Sequence, residues 1–259
     1  MNILKKIVEF KKIEIEKRKR EIKFEVVKKV AETTDVPFNF KEAFPVNRIN
    51  IIAEVKKASP SKGIIREDFN HIEIAKAYEK GEAAAISVLT DTEFFKGSPL
   101  YLKEIAETVN LPVLRKDFII DPFQIYAAKA LGASSFLLIA AILDKNTLAN
   151  FISLGRELGM EPLVETHTEE EIQKSLKAGA EIIGINNRNL ENFTVSLSTS
   201  IKLAPIIKDA GKICIAESGI TGREDIMKLK SAGVDGFLIG ETLMKSDNPE
   251  KVLKEWIES

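Results

Sequence analysis

Short runs of branched apolar residues recur along most of this chain, and they constrain its fold more than any other feature. From Asn50 onward, each run is followed by a longer amphipathic stretch. Strands of a parallel sheet have this near-continuous apolar character because both of their faces are buried. Eight such runs lie at Asn50–Lys56, Ala84–Leu89, Pro112–Lys116, Ser134–Ala140, Glu161–Glu165, Glu181–Asn186, Lys212–Glu217 and Asp235–Ile239. The sequence therefore predicts eight consecutive βα units.

The stretches between the strands have helical spacing. They are Ile72–Lys80, Leu100–Val109, Pro122–Leu131, Lys145–Leu158, Glu169–Ala178, Ser198–Asp209, Arg223–Ala232 and Pro249–Glu258. Glycines that could adopt positive φ follow several of them, at Gly81, Gly132, Gly159, Gly179, Gly211 and Gly233. Eight βα units close a barrel more naturally than they form an open sheet, so we predict the α/β class and a (β/α)8 TIM barrel. The alternative is a doubly wound sheet with a dinucleotide fingerprint, but the sequence contains no GxGxxG.

The segment before the first strand is predicted to be a helical extension that covers part of the barrel. Its apolar residues are Ile7, Val8, Ile15, Ile22 and Val26, followed by Phe38, Phe40 and Phe44. The basic run Lys17–Arg20 is interleaved with glutamates, which favours a solvated helix face over an anion-binding surface. We predict one domain over residues 1–259, with the extension at 1–46 and the barrel at 47–259.

Composition excludes several classes of function. The chain of 259 residues is 44% hydrophobic and carries 38 basic and 39 acidic residues, so we expect one large core and no binding to nucleic acid or membrane. No apolar stretch is long enough to span a bilayer. The single cysteine, Cys214, excludes an intrachain disulfide and favours the cytoplasm. High charge and only two glutamines indicate a thermophile. We expect a monomer without cofactor or metal.

Polar residues gather where the predicted strands end, which is where barrel enzymes hold their catalytic groups. Glu54 and Lys56 share one side of the first strand because side chains alternate along a strand. The third strand ends in Lys116 and the fifth in Glu165. The sixth presents Asn186 and Arg188 at the same two-residue interval. Ordinary salt bridges could explain any one of these residues, but convergence at several strand ends favours an active site.

Other residues predict a site for a phosphorylated small molecule. Ser218 and Gly219 follow the seventh strand, and Gly240 and Glu241 open a helical turn after the eighth. Backbone N–H groups at such positions bind phosphate. The loop after the first strand holds Ser59 and Ser61 and is suited to a lid, or is only a flexible connection. Phe95 and Phe118 could line a pocket for a flat ring, although core packing would explain either of them equally well.

Seven of these segments resemble the indole-3-glycerol phosphate synthase family and occur in its order. They are IIAEVKKASPSKG, SVLTDTEFFKGS, PVLRKDFIID, EPLVETH, IIGINNRNL, IAESGI and FLIGETLM. The resemblance implies conversion of 1-(2-carboxyphenylamino)-1-deoxyribulose 5-phosphate into indole-3-glycerol phosphate, with no cofactor or metal. One position departs from the family pattern: Asn189 stands where Asn-x-Arg-Asp has its aspartate.

The resemblance also assigns roles to individual residues. It implies that Lys116 is a general acid, that Glu165 lies near the anilino nitrogen, and that Asn186 helps to fix the site. Glu54 and Lys56 would contact substrate or act in dehydration, and which lysine is the acid in each step stays open. Substrate contacts are implied for Ser59, Phe95, Phe118, Arg188, Ser218, Gly219 and Gly240. We add the adjoining Glu241 as a substrate-binding candidate.

Three other functions remain open from the residues. A sugar-phosphate isomerase such as phosphoribosylanthranilate isomerase shares the phosphate site but uses a cysteine and an aspartate. A Schiff-base aldolase would use Lys116 as its nucleophile. A non-catalytic barrel would only bind a phosphometabolite, and the acids and lysines at the strand ends argue against it.

Overall fold

Eight parallel strands form a closed barrel in the computed structural model, which describes residues 3–35, 38–60, 62–189 and 193–258. The strands are β1 Asn50–Val55, β2 Ala85–Leu89, β3 Val113–Lys116, β4 Ser135–Ile139, β5 Leu163–Thr166, β6 Ile182–Asn186, β7 Ile213–Glu217 and β8 Gly236–Ile239. Each strand pairs with its neighbours in sequence, and β1 closes the ring by pairing with both β2 and β8. The predicted (β/α)8 barrel is therefore confirmed.

Helices follow the strands and surround the barrel. Within the described residues they are α1 Ile3–Glu21, α2 Phe24–Thr33, α3 His71–Lys80, α4 Pro99–Ala106, α5 Pro122–Ala130, α6 Lys145–Glu157, α7 Glu169–Lys177, α8 Ser198–Asp209, α9 Arg223–Ser231, α10 Glu241–Lys245 and α11 Pro249–Ile257. Local sequence sets several of their starts. Helix α5 begins with a capping box between Asp121 and Gln124, and Pro122 stands at its first position.

One predicted helix end is wrong in detail. Gly81 has a φ of −77°, and the positive φ of this turn belongs to Glu82, at 61°. Gly81 is needed for space instead, because a Cβ there would lie 2.8 Å from Leu253 Cδ1. The glycine thus lets α11 pack closely against the end of α3.

The alternation of side chains along the strands separates two apolar layers. Every second strand residue faces the barrel interior, as Ile52, Leu114 and Ile215 do, and the others pack beneath the surrounding helices. Phe40 and Phe44 join the interior cluster, and Phe44 lies against Gly236 at the start of β8. The amino-terminal end of the barrel is therefore filled by aromatic rings from the extension. At the carboxyl end, the same inward register continues into polar side chains.

The extension precedes the barrel as predicted and packs against its outside. Helix α2 lies on α5, where the Phe24 ring contacts the rings of Phe123 and Tyr126. The basic run is only partly solvated. Lys17 is exposed, but Lys19 forms an ion pair with Asp121 at 2.7 Å and so ties α1 to the start of α5.

The loop after β1 forms a short antiparallel hairpin in which Ala58–Ser59 pair with Gly63–Ile64. Ser61, part of the predicted lid, lies outside the described residues. Among the helices described, none combines the length and apolar character that crossing a bilayer requires.

Candidate active site

One cavity of about 870 Å³ opens at the carboxyl ends of the strands. All the site residues predicted from the sequence line it: Glu54, Lys56, Ser59, Phe95, Lys116, Phe118, Glu165, Asn186, Arg188, Ser218, Gly219, Gly240 and Glu241. The barrel brings them together because their strands run in parallel and end at the same face.

The first charged pair lies at the end of β1. Glu54 and Lys56 point to the same side of the chain, and Glu54 Oε1 lies 2.6 Å from Lys56 Nζ. Glu54 is buried, whereas the Lys56 side chain is 17% exposed, so the ammonium faces the open part of the cavity. The pair can therefore act as a proton donor beside a proton acceptor.

Lys116 forms the second charged group and lies between two glutamates. Its Nζ is 3.1 Å from Glu165 Oε2 and 3.4 Å from Glu217 Oε2. Burial alone would lower the pKa of Lys116, but the charges of Glu165 and Glu217 outweigh burial and raise that pKa above its ordinary value. Lys116 is thus an ammonium at neutral pH and can serve as an acid.

Glu217 is the functional candidate that the sequence analysis missed. It ends β7 and is buried, and its Oε1 has no hydrogen-bond partner among the described residues. Burial raises the pKa of Glu217 to about 8, since repulsion by Glu165 adds to burial and the attraction of Lys116 does not offset them. Alternation from Ile215, which faces the barrel interior, predicts that Glu217 also points inward. The sequence analysis assigned this segment to phosphate binding instead, because Ser218 and Gly219 follow directly.

A glycine on the neighbouring strand makes room for Glu217. A Cβ at Gly184, in the middle of β6, would lie 2.2 Å from Glu217 Oε1. Any other residue at Gly184 would therefore displace the buried carboxyl. A strand glycine here marks close approach of a functional side chain rather than a weak strand.

Glu165 is held as an anion by its surroundings. Burial raises the pKa of Glu165. The charges of Lys116 and His167 and a hydrogen bond from Asn186 lower that pKa by more than burial raises it, so the net shift is downward. His167 lies between two carboxylates, with Nε2 3.6 Å from Glu165 and Nδ1 3.4 Å from Glu171. The pKa values of Glu165 and Glu217 are thus shifted in opposite directions, which suits Glu165 to accept a proton and Glu217 to donate one.

Residues after β6 shape the next part of the rim. Asn186 Oδ1 accepts a hydrogen bond from the backbone N–H of Arg188 at 3.0 Å. Arg188 pairs with Val195 in an isolated antiparallel bridge, which returns the loop towards the barrel. Asn189, the departure from the family pattern, is joined through its backbone to Thr194 at 2.8 Å and to Phe193 at 2.9 Å.

The loops after β7 and β8 form the rim predicted to bind phosphate. Ser218 and Gly219 both have positive φ, 66° and 81°, and turn the chain sharply at the end of β7. A Cβ at Gly240 would lie 2.4 Å from Glu54 Oε1, so a side chain at this position would displace the charged pair of Glu54 and Lys56. Gly240, at the start of α10, offers no side-chain hydrogen bond to the first turn of this helix, whose N–H groups can therefore meet an anion.

Two lysines that the sequence analysis did not single out lie beside Glu241 at this rim. Lys245 Nζ is 2.6 Å and Lys62 Nζ is 4.0 Å from Glu241 Oε1, and both lysines line the cavity. Their positive charges suit an anionic group. The Glu241 carboxylate pairs with these lysines, so it orients cations rather than meeting an anion directly.

Aromatic rings occupy the side of the cavity next to β2 and β3. The ring centroids of Phe95 and Phe118 are 6.1 Å apart and their planes are inclined by 38°. Ile3, Leu4 and Ile7 of α1 extend this apolar wall. Ser59, in the hairpin after β1, lines the same cavity. The cavity thus combines an aromatic side, a charged floor and a cationic rim.

Comparison with known proteins identifies the family. The model of the indole-3-glycerol phosphate synthase family matches residues 4–256. The chain belongs to the indole-3-glycerol phosphate synthase family. It is 50% identical to the indole-3-glycerol phosphate synthase of Endomicrobium trichonymphae over 255 residues, covering 98% of each chain. Identity to the synthase of Carboxydothermus hydrogenoformans is 46% over 258 residues, with 97% and 98% of the chains covered.

Solved structures show the same fold at much lower identity. A 3-hexulose-6-phosphate synthase superposes with a TM-score of 0.65 and 14% identity, over 80% of this chain and 98% of the other. A similarity at this level of identity shows a shared barrel fold and does not indicate a shared function.

The position of Cys214 also argues against the isomerase alternative, which needs a cysteine in the cavity. Cys214 belongs to the core cluster outside the barrel, and burial raises the pKa of its thiol. It therefore does not reach the cavity and is not an acid or base for a bound sugar phosphate.

Proposed function

We propose that this chain closes the indole ring by converting 1-(2-carboxyphenylamino)-1-deoxyribulose 5-phosphate into indole-3-glycerol phosphate, carbon dioxide and water, a carboxy-lyase step of tryptophan biosynthesis. One observation carries the proposal: two ammonium–carboxylate groups, Lys56 with Glu54 and Lys116 with Glu165 and Glu217, surround a single cavity. The reaction needs two protonations, one at a ketone oxygen and one at a departing hydroxyl.

Lys116 is the acid for ring closure in this proposal. When the aromatic carbon attacks the ketone, negative charge develops on the ketone oxygen, and a positioned ammonium stabilises and protonates it. An alkoxide is a stronger base than an amine, so the transfer is favourable even from a lysine whose pKa is raised. Loss of carbon dioxide from the same ring carbon then restores aromaticity.

Lys56 and Glu54 act in the dehydration that follows. Lys56 protonates the departing hydroxyl, the anilino nitrogen supplies the electron pair, and Glu165, held as an anion, receives a proton. Asn186 fixes Glu165 through its hydrogen bond. Glu217, buried beside Lys116, restores the proton of that lysine between turnovers.

The remaining residues bind the substrate. Phe95 and Phe118 contact the anthranilate ring, and Ser59 and Arg188 contact its polar groups. At the opposite rim, backbone groups of Ser218, Gly219 and Gly240 hold the phosphate, with Lys62 and Lys245 oriented by Glu241. Each of these residues lines the cavity.

The experiment is direct. The purified protein is mixed with the carboxyphenylamino sugar phosphate, and indole fluorescence is followed together with release of carbon dioxide. We expect both signals at equal rates, and no adduct on addition of borohydride, since Lys116 is protonated rather than nucleophilic. Absence of indole with the intact substrate would rule the function out, and a borohydride-trapped adduct would favour an aldolase.

Four broader features belong to the same proposal. We propose one domain, with residues 1–46 as the extension and 47–259 as the barrel, acting as a monomer. The single Cys214 suits the reducing cytoplasm. The 30% content of charged residues suits a thermophile. Light scattering and the midpoint of thermal unfolding test the assembly and the thermal adaptation.

A further inference from the structure

A fully buried lysine of the extension lies outside the barrel, directly behind the aromatic side of the cavity. Lys11 of α1 is 1% exposed. Its Nζ is 2.9 Å from Asp91 Oδ2, 2.9 Å from Asp117 Oδ1 and 2.7 Å from Glu14 Oε2. Burial of an ammonium is costly unless opposite charges surround it, and here three carboxylates do. These ion pairs therefore join α1 to the segments that follow β2 and β3.

Each aspartate also holds the backbone of an aromatic segment. Asp91 Oδ1 accepts hydrogen bonds from the N–H groups of Phe94 at 2.7 Å and Phe95 at 3.2 Å. Asp117 Oδ1 accepts one from the N–H of Phe118 at 2.8 Å. Lys11 is thus separated from Phe95 by one carboxylate and from Phe118 by another.

The two segments carry the rings that face each other in the cavity. Asp117 follows Lys116 directly, so β3 directs the lysine inward and the aspartate outward. These hydrogen bonds do not involve the opposite side of the cavity, which is formed by the loops after β7 and β8. Loss of the Lys11 charge should therefore disturb the aromatic side and leave the rim that binds phosphate in place.

We propose that Lys11 is a positioning residue: through Asp91 and Asp117 it sets the separation of Phe95 and Phe118, and thereby the affinity for the aromatic part of the ligand. This inference rests on the proposed function for the identity of that ligand. Lys11 does not touch the cavity contents itself, because its ammonium is enclosed by carboxylates behind the loops.

The test compares Lys11→Met with a matched control, Lys12→Met. Lys12 is the next residue of α1, is 58% exposed, and pairs with Glu9 at 2.7 Å. Two probes are bound by calorimetry: indole-3-glycerol phosphate, which has an aromatic and a phosphate part, and inorganic phosphate alone. Lys11→Met should weaken binding of indole-3-glycerol phosphate about tenfold and raise KM more than it lowers kcat, with phosphate affinity within about twofold. Lys12→Met should change neither, and Lys11→Arg should restore most of the affinity.

A second variant protects the test against misfolding. Asp91→Asn keeps the oxygen that accepts from Phe94 and Phe95 but removes the charge that meets Lys11, so the same selective loss should appear at smaller size. Equal weakening of both probes, or full retention of indole-3-glycerol phosphate affinity in folded variants, would overturn the inference. Turnover by the unaltered protein is measured separately, so that a failure of the proposed function is recognised by itself.

Discussion

Two ion clusters lie on opposite faces of β3. The cavity cluster comprises Glu54, Lys56, Lys116, Glu165 and Glu217. The outer cluster comprises Lys11, Glu14, Arg18, Asp91, Arg115 and Asp117. Arg115, Lys116 and Asp117 are consecutive, so β3 supplies both clusters by simple alternation. The outer cluster balances three cations with three carboxylates, whereas the cavity cluster sets three carboxyl groups against two ammoniums.

The pKa shifts follow this difference in charge. Burial raises the pKa of Asp117, but Lys11 and Arg115 outweigh burial and hold it well below its ordinary range. In the cavity, burial and repulsion instead raise the pKa of Glu217 to about 8. Removing one member of a balanced buried cluster costs stability, whereas an excess of carboxyl groups in the cavity favours one that keeps its proton at the site of reaction. Substitutions in the two clusters should therefore have different consequences.

The largest effect is expected for Lys116→Met in the cavity cluster. Removal of the acid should lower kcat about a thousandfold, which corresponds to about 4 kcal/mol in the barrier. Steady-state kinetics measure the loss, and circular dichroism checks that the barrel is intact. Retention of more than about a tenth of the original kcat would contradict the role of Lys116 as an acid.

In the outer cluster, Arg115→Met should cost stability. Arg115 donates to Asp117 at 3.0 Å, to Thr90 at 3.1 Å and to the carbonyl of Gln124 at 2.8 Å, all in buried surroundings. Loss of one partner from a buried ion cluster costs about 3 kcal/mol in the free energy of unfolding. Denaturant unfolding measures the change.

Arg156→Met is the matched control for that measurement. Arg156 pairs with the carboxylate of Glu161 through two hydrogen bonds, at 2.8 and 2.9 Å, and donates to the carbonyl of Gly179, but its side chain is 40% exposed. An exposed pair contributes at most about 1 kcal/mol. Equal losses in the free energy of unfolding for the two variants would mean that burial does not make the outer cluster more costly to break than an exposed ion pair.

Glu165→Gln should act on turnover more than on binding. The variant keeps the size of the side chain but loses the anion that receives a proton, so kcat should fall about a hundredfold. KM should rise much less, because the amide can still contact Lys116 and Asn186. The two constants are separated by steady-state kinetics, and an effect confined to KM would assign Glu165 to binding alone.

Glu217→Gln should alter the pH dependence of stability. A carboxyl with a raised pKa in the folded state binds its proton more tightly there than in the unfolded chain. Stability is therefore lost as pH rises from the ordinary carboxyl range towards about 8, by at most about 1.4 kcal/mol for each pH unit. The variant should lack this decline when both proteins are unfolded at several pH values between about 5 and 8. Parallel pH profiles for the two proteins would show that Glu217 does not carry the raised pKa.

The sequence predicted the fold and most of the cavity for one reason: parallel strands alternate their side chains and end at one face. Glu54, Lys56, Lys116 and Glu165 could be identified because each charge interrupts an apolar run. Glu217 follows the same rule but lies beside Ser218 and Gly219, whose phosphate signal masks it. Lys11 could not be distinguished from Lys12, because a helix of mixed charge does not reveal which lysine meets buried aspartates that are distant in sequence.

Phe40 and Phe44 have a consequence for attempts to shorten the chain. They belong to the segment before β1, yet their rings complete the interior column of the barrel at the end opposite the cavity. A shortened chain that kept only the strands and their helices would have a water-accessible hole beneath Ile52 and Ile215. The barrel should therefore not be truncated at residue 46. A minimal version would need two other large apolar side chains, carried by its own loops, to fill this end of the barrel.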